Sequence, residues 1–244
     1  MFVFLKRKKI SLNKINKIYS AHLYKGLNGL LMRHCHSQLE KTLPYRNYKK
    51  ILEIGAGSEP HYKYLKNKEC DYIILEKNHD KKILKKFKYK IYKGKKIPFK
   101  NTTFDRIIIS HTLEHIPEPE KFINEMMSKL KKGAILSISL PTDPGLLWRI
   151  GRLFNKIFTM KKELKFSTLE YDYMNSIEHI NSVFNLMNII RHNYKNNIIE
   201  QFLPFRIKLL DVNLFYNVHI KKWCRIKELT NIISYLIFDL LNLL

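Results

Sequence analysis

Cysteine is scarce in this chain. Three stand in 244 residues, at positions 35, 70 and 224, with no Cys-x-x-Cys spacing. That excludes a disulfide framework, argues against a structural zinc centre and fits a reducing compartment. The triplet His34-Cys35-His36 does not change this, because alternate residues on a helix point away from each other, and no metal is expected. Long apolar runs are also missing: none reaches the ~20 residues that a bilayer-spanning helix needs. Acidic residues are few, 21 against 45 basic, for a net charge of +24. Arginine is rare too, nine of those 45, and the lysines are spread over every segment. A built nucleic-acid patch concentrates arginine, so a specific nucleic-acid partner is not expected. Weak peripheral attraction to an anionic membrane is the partner that such charge favours. At the start, the apolar stretch of residues 1–5 precedes Lys6-Arg7-Lys8-Lys9, the reverse of a signal peptide. The expected location is the cytoplasm, with contact at the inner membrane face.

Residues 50–58 read Lys-Ile-Leu-Glu-Ile-Gly-Ala-Gly-Ser. An apolar strand runs into a turn in which Gly55 and Gly57 permit positive φ and close approach of a ligand to the main chain. Glu53 sits at the end of that strand, where a buried carboxylate requires a partner. Nineteen residues beyond Gly57, Glu76 ends a second apolar run. An acid at about that distance is placed to bind ribose hydroxyls in a nucleotide-binding strand-helix-strand unit. The third glycine of a dinucleotide fingerprint is lacking, and Glu59 would put negative charge where a pyrophosphate sits. A nicotinamide or flavin dinucleotide is therefore disfavoured.

The acid followed by Gly-x-Gly resembles the first motif of class I S-adenosyl-L-methionine (SAM)-dependent methyltransferases. Further on, Ile97-Pro-Phe99, the Phe104-Asp-Arg-Ile-Ile-Ile-Ser110 strand, Leu113-Glu-His-Ile116 and the Lys132-Gly133 turn resemble the small-molecule members in order and spacing. The resemblance covers residues 45–145 closely and 178–222 loosely. It implies SAM as cofactor, with the main chain of Gly55, Ala56 and Gly57 against its amino-acid end. Glu53 would fix that loop or reach the amine through water, and Glu76 would take the ribose hydroxyls. Ile97, Pro98 and Phe99 would form the adenine pocket, while Ser110 and His111 face the methionyl part. One departure stands out: Lys93-Gly-Lys-Lys96 replaces the segment where many relatives carry an adenine-binding Asp.

Methyl transfer from a sulfonium is a direct displacement, so the protein needs to align donor and acceptor and exclude water. On the acceptor side, His179 is the candidate base, read as lying in the first turn of a helix starting near Glu178 and capped by Ser176. A helix N-terminus there would lower its pKa. Glu114, Asp143 and Arg149 are the candidate acceptor-binding residues, and His115 is read as structural. The segments Leu140-Pro-Thr-Asp-Pro-Gly-Leu-Leu-Trp-Arg149 and Glu178-His-Ile-Asn181 look like bacterial methyltransferases of cell-envelope polysaccharide pathways. The expected acceptor is an oxygen or nitrogen of a small molecule or glycan. Alternatives are a quinone-like or lipid metabolite and a methyltransferase-fold binding module without catalysis. An RNA methyltransferase fits less well, since the Asn/Asp-Pro-Pro-aromatic motif is missing.

Alternation of strand and helix predicts a doubly wound, mostly parallel seven-stranded sheet with N-terminal helices and a C-terminal antiparallel hairpin. Strands are expected at 50–54, 72–76, 89–92, 104–110, 134–140, 198–207 and 212–220. Helices are expected over 12–42 with a break at Gly26 and Gly29, at 60–66 and 81–87, and at 119–130 with Gly133 as its cap. The organisation follows: a helical cap at 1–45, a methyltransferase domain at 46–222 with an insertion at 141–177, and an apolar helix at 223–244.

Overall fold

The computed structural model describes residues 25–44, 47–57, 59–77, 86–92, 97–160 and 167–222, and no side chains at 158–160. The expectations for residues 12–24, for 81–85 and for the terminal helix of 223–244 lie outside the described residues.

Seven strands form one sheet in the order β3-β2-β1-β4-β5-β7-β6. They are β1 (Lys50–Ile54), β2 (Asp71–Glu76), β3 (Lys88–Ile91), β4 (Phe104–Ser110), β5 (Leu130–Pro141), β6 (Ile198–Leu203) and β7 (Phe215–Lys221). β1 to β5 run parallel, and β7 enters antiparallel between β5 and β6. The expected doubly wound sheet with its closing hairpin is the one observed. Among the described residues five α-helices accompany it: α1 (Gly26–Lys41), α2 (Pro119–Lys129), α3 (Leu146–Phe154), α4 (Thr168–Glu178) and α5 (Val183–Tyr194). The expected insertion of residues 141–177 holds α3, a π-helical turn at Asn155–Met160 and most of α4. No helix among the described residues is long and apolar enough to cross a membrane.

The two faces of the sheet are unlike. One is apolar: Leu52, Leu75, Ile107, Ile109, Leu136, Ile138 and Val218 pack with Phe122, Ile123 and Met126 of α2 and Leu186 and Ile190 of α5. The other carries Ile51, Ile74 and Ile108 in a smaller cluster with Leu39 of α1, and interleaves buried polar groups. Glu53, Arg106, Ser137, Ser139, Asn217 and His219 are all at most 2% exposed. They meet a polar side of α1. Arg106 Nη1 donates to Glu40 at 2.6 Å and its Nε–H donates to Ser137 at 3.0 Å. Ser137 and His219 join at 3.0 Å, and His219 reaches Thr42 at 3.1 Å. His61 Nε2–H donates to Glu40 at 3.2 Å, and its Nδ1 meets Nδ1 of His36 at 2.9 Å. Burial alone would raise the pKa of Glu40, but His61 and Arg106 outweigh it and hold it down at about 2.

Two local expectations are corrected. Gly29 does not break the first helix. It is buried within α1, where a residue without a side chain lets a helix lie close to its neighbours. Gly133 does not cap α2. That helix ends at Lys129, Leu130 is already extended, and Gly133 (φ 71°) bends β5 where its register with β4 shifts. Its N–H donates to Lys222 O at 2.9 Å.

Candidate functional site

The sheet order reverses direction between β1 and β4, and in open α/β sheets ligands bind at such a point, outside the carboxyl ends of the strands. Both ends are irregular. After β1, Gly55 (φ 70°) and Gly57 (φ 55°) turn the chain. A side chain at Gly55 would collide with the Thr112 hydroxyl, whereas a Cβ at Gly57 meets nothing within 4 Å. The first glycine lets two strand ends pack, and the second leaves an open cradle. Gly57 N–H donates to Glu76 Oε2 at 3.1 Å, so the acid at the end of β2 reaches the glycine turn, as their spacing anticipates. Lys77 N–H donates to the other oxygen of Glu76 at 2.9 Å.

Glu53 faces inward. Its carboxylate accepts the His61 N–H at 3.0 and 3.1 Å and the Tyr72 hydroxyl. Burial raises its pKa to about 7 against the pull of those donors. It braces the loop after the glycine turn, one of the two roles foreseen, and its partners are protein groups. Ala56 is buried in the same turn.

Ile97 is buried, with its N–H donated to Glu125 at 2.9 Å. Pro98 is exposed and accepts Lys90 at 3.1 Å. Phe99 is half-buried against Phe104, with the Lys90 ammonium 4.7 Å from its ring centroid. The lysine segment 93–96 lies outside the described residues.

After β4, Ser110 is buried and His111 takes the left-handed conformation (φ 50°). A non-glycine residue is uncommon there, and such backbone clusters at functional sites. Ser110 Oγ and His111 Nε2 are both buried without a hydrogen-bond partner. Burial, then the neighbouring His179 and His115, pushes the His111 pKa down to about 3, so its ring is neutral.

Beyond His111 three segments are cross-braced: the turn Leu113–His115, the end of β5, and the link between α4 and α5. Asn181 N–H donates to Glu114 O at 3.1 Å, and its side chain donates to Ile116 O at 2.7 Å. Val183 N–H donates to Asp143 O at 2.9 Å. This brings His115 and His179 together, with rings 5.0 Å apart and nearly perpendicular. His179 does not begin a helix. Ser167 caps α4 with a reciprocal Glu170 bond, His179 follows the end of that helix, and Ser182 caps α5. No helix N-terminus acts on its imidazole. The Nδ1–H donates to Asp143 Oδ2 at 2.8 Å instead. The same Asp143 oxygen accepts Arg152 at 2.6 Å. Burial raises the Asp143 pKa, but His179 and Arg152 outweigh it and the net shift is downward. Arg149 is exposed on α3, and Arg152 is the arginine at this acid. Glu114 is buried, Oε2 has no hydrogen-bond partner among the described residues, and burial raises its pKa to about 7.

A glycine turn held by an acid on the next strand, at the switch point of a doubly wound sheet, defines a nucleoside-cofactor-binding α/β protein. Residues 28–189 match the family described as "Methyltransferase domain". The chain belongs to that family, whose cofactor is SAM. It is 29% identical over 169 residues to an uncharacterized protein of Methanocaldococcus jannaschii, covering 65% of this chain and 70% of that one. Among solved structures it resembles a SAM-dependent methyltransferase of Thermotoga maritima described as a possible histamine N-methyltransferase (TM-score 0.58, 18% identity, 87% of this chain and all of that one). It also resembles the plantazolicin methyltransferase BpumL, solved with SAH and a pentazolic desmethylPZN analogue (TM-score 0.55, 12% identity, 85% and 90% covered). At these identities the structural likeness bears on the fold. The residues present fit the cofactor: the turn at Gly57 is open, Glu76 stands beside it, and Ser110 and His111 offer unpaired buried polar atoms.

Proposed function

We propose that this chain transfers the methyl group of SAM to an oxygen or nitrogen of a small-molecule or glycan acceptor. The observation that carries this reading is the meeting of two half-sites on one sheet edge: the open Gly57 turn with Glu76, and the braced Glu114, His115 and His179 beyond β4. SAM supplies a methyl activated on a sulfonium. Gly55, Ala56 and Gly57 present main chain to its amino-acid end, and Glu76 accepts the ribose hydroxyls. Ile97, Pro98 and Phe99 border the adenine, and Ser110 and His111 line the methionyl part. Glu114 and Asp143 border the acceptor, with Arg152 holding Asp143. His179 takes the acceptor's proton: its Nδ1–H is committed to Asp143, which leaves Nε2 as the proton acceptor, the arrangement of an oriented base.

Isothermal titration of the chain with SAM tests the reading. Heat of binding is expected, and Gly57→Arg, which fills the cradle, is expected to abolish it. Absence of heat with the wild type leaves the non-catalytic module as the surviving reading. His179→Ala is expected to lower turnover while SAM affinity holds.

Docking on an anionic membrane, with an acceptor joined to a lipid carrier, is favoured by one observation in the insertion. Leu146, Ile150 and Leu153 of α3 form a stripe, each at least half exposed, on a chain of net charge +24. An apolar helical face on a basic protein suits an anionic lipid surface. Sedimentation with phosphatidylglycerol vesicles is expected to carry the chain down, and Ile150→Asp with Leu153→Asp to leave it in solution. Glycosyltransferase genes beside the coding gene would favour the polysaccharide acceptor.

A further inference from the structure

We infer that Glu114, His115 and His179 form a binding site for one divalent cation at the acceptor end of the cleft. One ligand atom from each lies within 4.8 Å of the others. Nitrogen and oxygen ligands about 2.1 Å from a zinc-like ion stand roughly 3 to 3.5 Å apart, so the cluster closes by about an ångström on loading. His115, a quarter exposed, and His179 have room to make that shift.

Three observations point to a ligand. The first is the Glu114 carboxylate. It is buried, Oε2 has no hydrogen-bond partner among the described residues, and His115 Nε2 stands 3.8 Å from Oε1, beyond hydrogen-bonding reach. A buried, unpaired carboxylate oxygen is destabilising unless something positive meets it. The second is the orientation of both imidazoles. His115 Nδ1–H donates to Glu178 O at 2.6 Å, since a carbonyl only accepts, and His179 Nδ1–H donates to the Asp143 carboxylate at 2.8 Å. With Nδ1–H committed to a carbonyl or carboxylate, Nε2 is the nitrogen left to give a lone pair to a metal. The third is the support behind them. Asp143 is held by Arg152, and Asn181 pins the Glu114 turn to the His179 link, so outer groups orient the ligating ones.

Two imidazoles and one carboxylate suit zinc, manganese, iron(II) or cobalt(II) better than calcium or magnesium. Three protein ligands also leave a position open. This inference rests on the acceptor lying at this edge, and it narrows the acceptor to an oxygen. A hydroxyl in the open position loses its proton to solvent more readily beside a cation. The His179 lone pair is then a ligand, so a loaded site replaces its service as a base.

The test uses the full chain, stripped with chelator and titrated with cobalt(II) under visible absorption and equilibrium dialysis. One cobalt per chain is expected, with absorption bands of a nitrogen and oxygen site. Glu114→Gln, His115→Ala and His179→Ala are each expected to lose it. Asp143→Asn is expected to weaken it by about ten- to a hundredfold, and the exposed His192→Ala to leave it unchanged. No bound cobalt, or binding that survives His179→Ala, overturns the proposal. SAM titration of the same samples separates the two readings: SAM heat without cobalt binding sinks the cation site and leaves methyl transfer standing. Should Glu114→Gln fail to fold, judged by circular dichroism, His179→Ala in its half-buried link decides alone.

Discussion

Two regions of this molecule are built from the same residue types and do opposite things with them. Under α1, Glu40 sits among Arg106, His61, His36 and His219. Beyond β4, Glu114 sits beside His115, His179 and Asp143. The first cluster closes on itself. Both Glu40 oxygens are engaged, and donors and acceptors run in sequence from Arg106 through Ser137 and His219 to Thr42. Its one loose end is Arg106 Nη2, buried without a partner, on a side chain that borders a cavity of about 180 Å³, room enough for water. The second cluster leaves a carboxylate oxygen without a partner among the described residues and holds both imidazoles by Nδ1. Charge meeting charge stabilises the first site. The second is held in place by its surroundings, and the proposed cation would complete it.

The largest expected effect breaks the closed cluster. Glu40→Ala strips Arg106 and His61 of their buried anion, and removing one partner of such a pair typically costs about 3–5 kcal/mol. Urea unfolding at neutral pH measures it. A loss below about 1 kcal/mol would mean that water in the adjoining cavity already serves Arg106, and the contrast between the regions would shrink.

Changing pH sharpens the comparison, because the two carboxylates are shifted in opposite directions. Glu40 is held down at about 2, so its contribution is present above pH 4.5 and is lost as pH falls from there through 2. Glu114 is raised to about 7. Its folded form favours the proton, so that contribution is full below pH 4.5 and is lost as pH rises through 7. Glu114→Gln is therefore expected to be more stable than wild type at pH 8 and close to it at pH 4.5, by denaturant midpoints. Equal midpoint differences at both pH values would show that Glu114 has a partner already.

The sequence announces these regions unequally. The sheet is legible from alternating apolar runs, and the Gly55 to Glu76 unit from its spacing, because both are local patterns with fixed geometry. The closed cluster is not announced, since Glu40, His61, Arg106 and His219 stand far apart and only the register joins them. A trace existed: Ser137 and Ser139 in β5, and Asn217 and His219 in β7, alternate with apolar residues, and period two puts them on one face. The acceptor cluster was half legible. Glu114, Asp143 and His179 stand out as candidates by their positions along the chain, but two serines compete for the caps near them. Ser167, with Glu170 three residues on, wins α4 and Ser182 wins α5, which moves His179 from a helix start to a link. His115, read as structural, packs against the His179 ring.

The smallest expected effect tests whether a raised carboxylate pKa by itself marks an open site. Glu53 also sits at about 7, yet it accepts from both the His61 N–H and the Tyr72 hydroxyl. Burial raises both acids, but Glu53 has two protein donors on its carboxylate, whereas Glu114 Oε2 has no hydrogen-bond partner among the described residues. Tyr72→Phe removes one donor from Glu53, and the net loss for one hydrogen bond is about 1 kcal/mol. The loss is expected to be larger at pH 8, where the carboxylate is charged and needs the donor, than at pH 5, where it is protonated. The same substitution leaves cobalt binding unchanged, because Glu53 belongs to the brace behind the glycine turn. Unfolding midpoints of Tyr72→Phe and Glu114→Gln at the two pH values are thus expected to move in opposite directions, one acid losing a partner it had and the other being relieved of a charge it left unpaired.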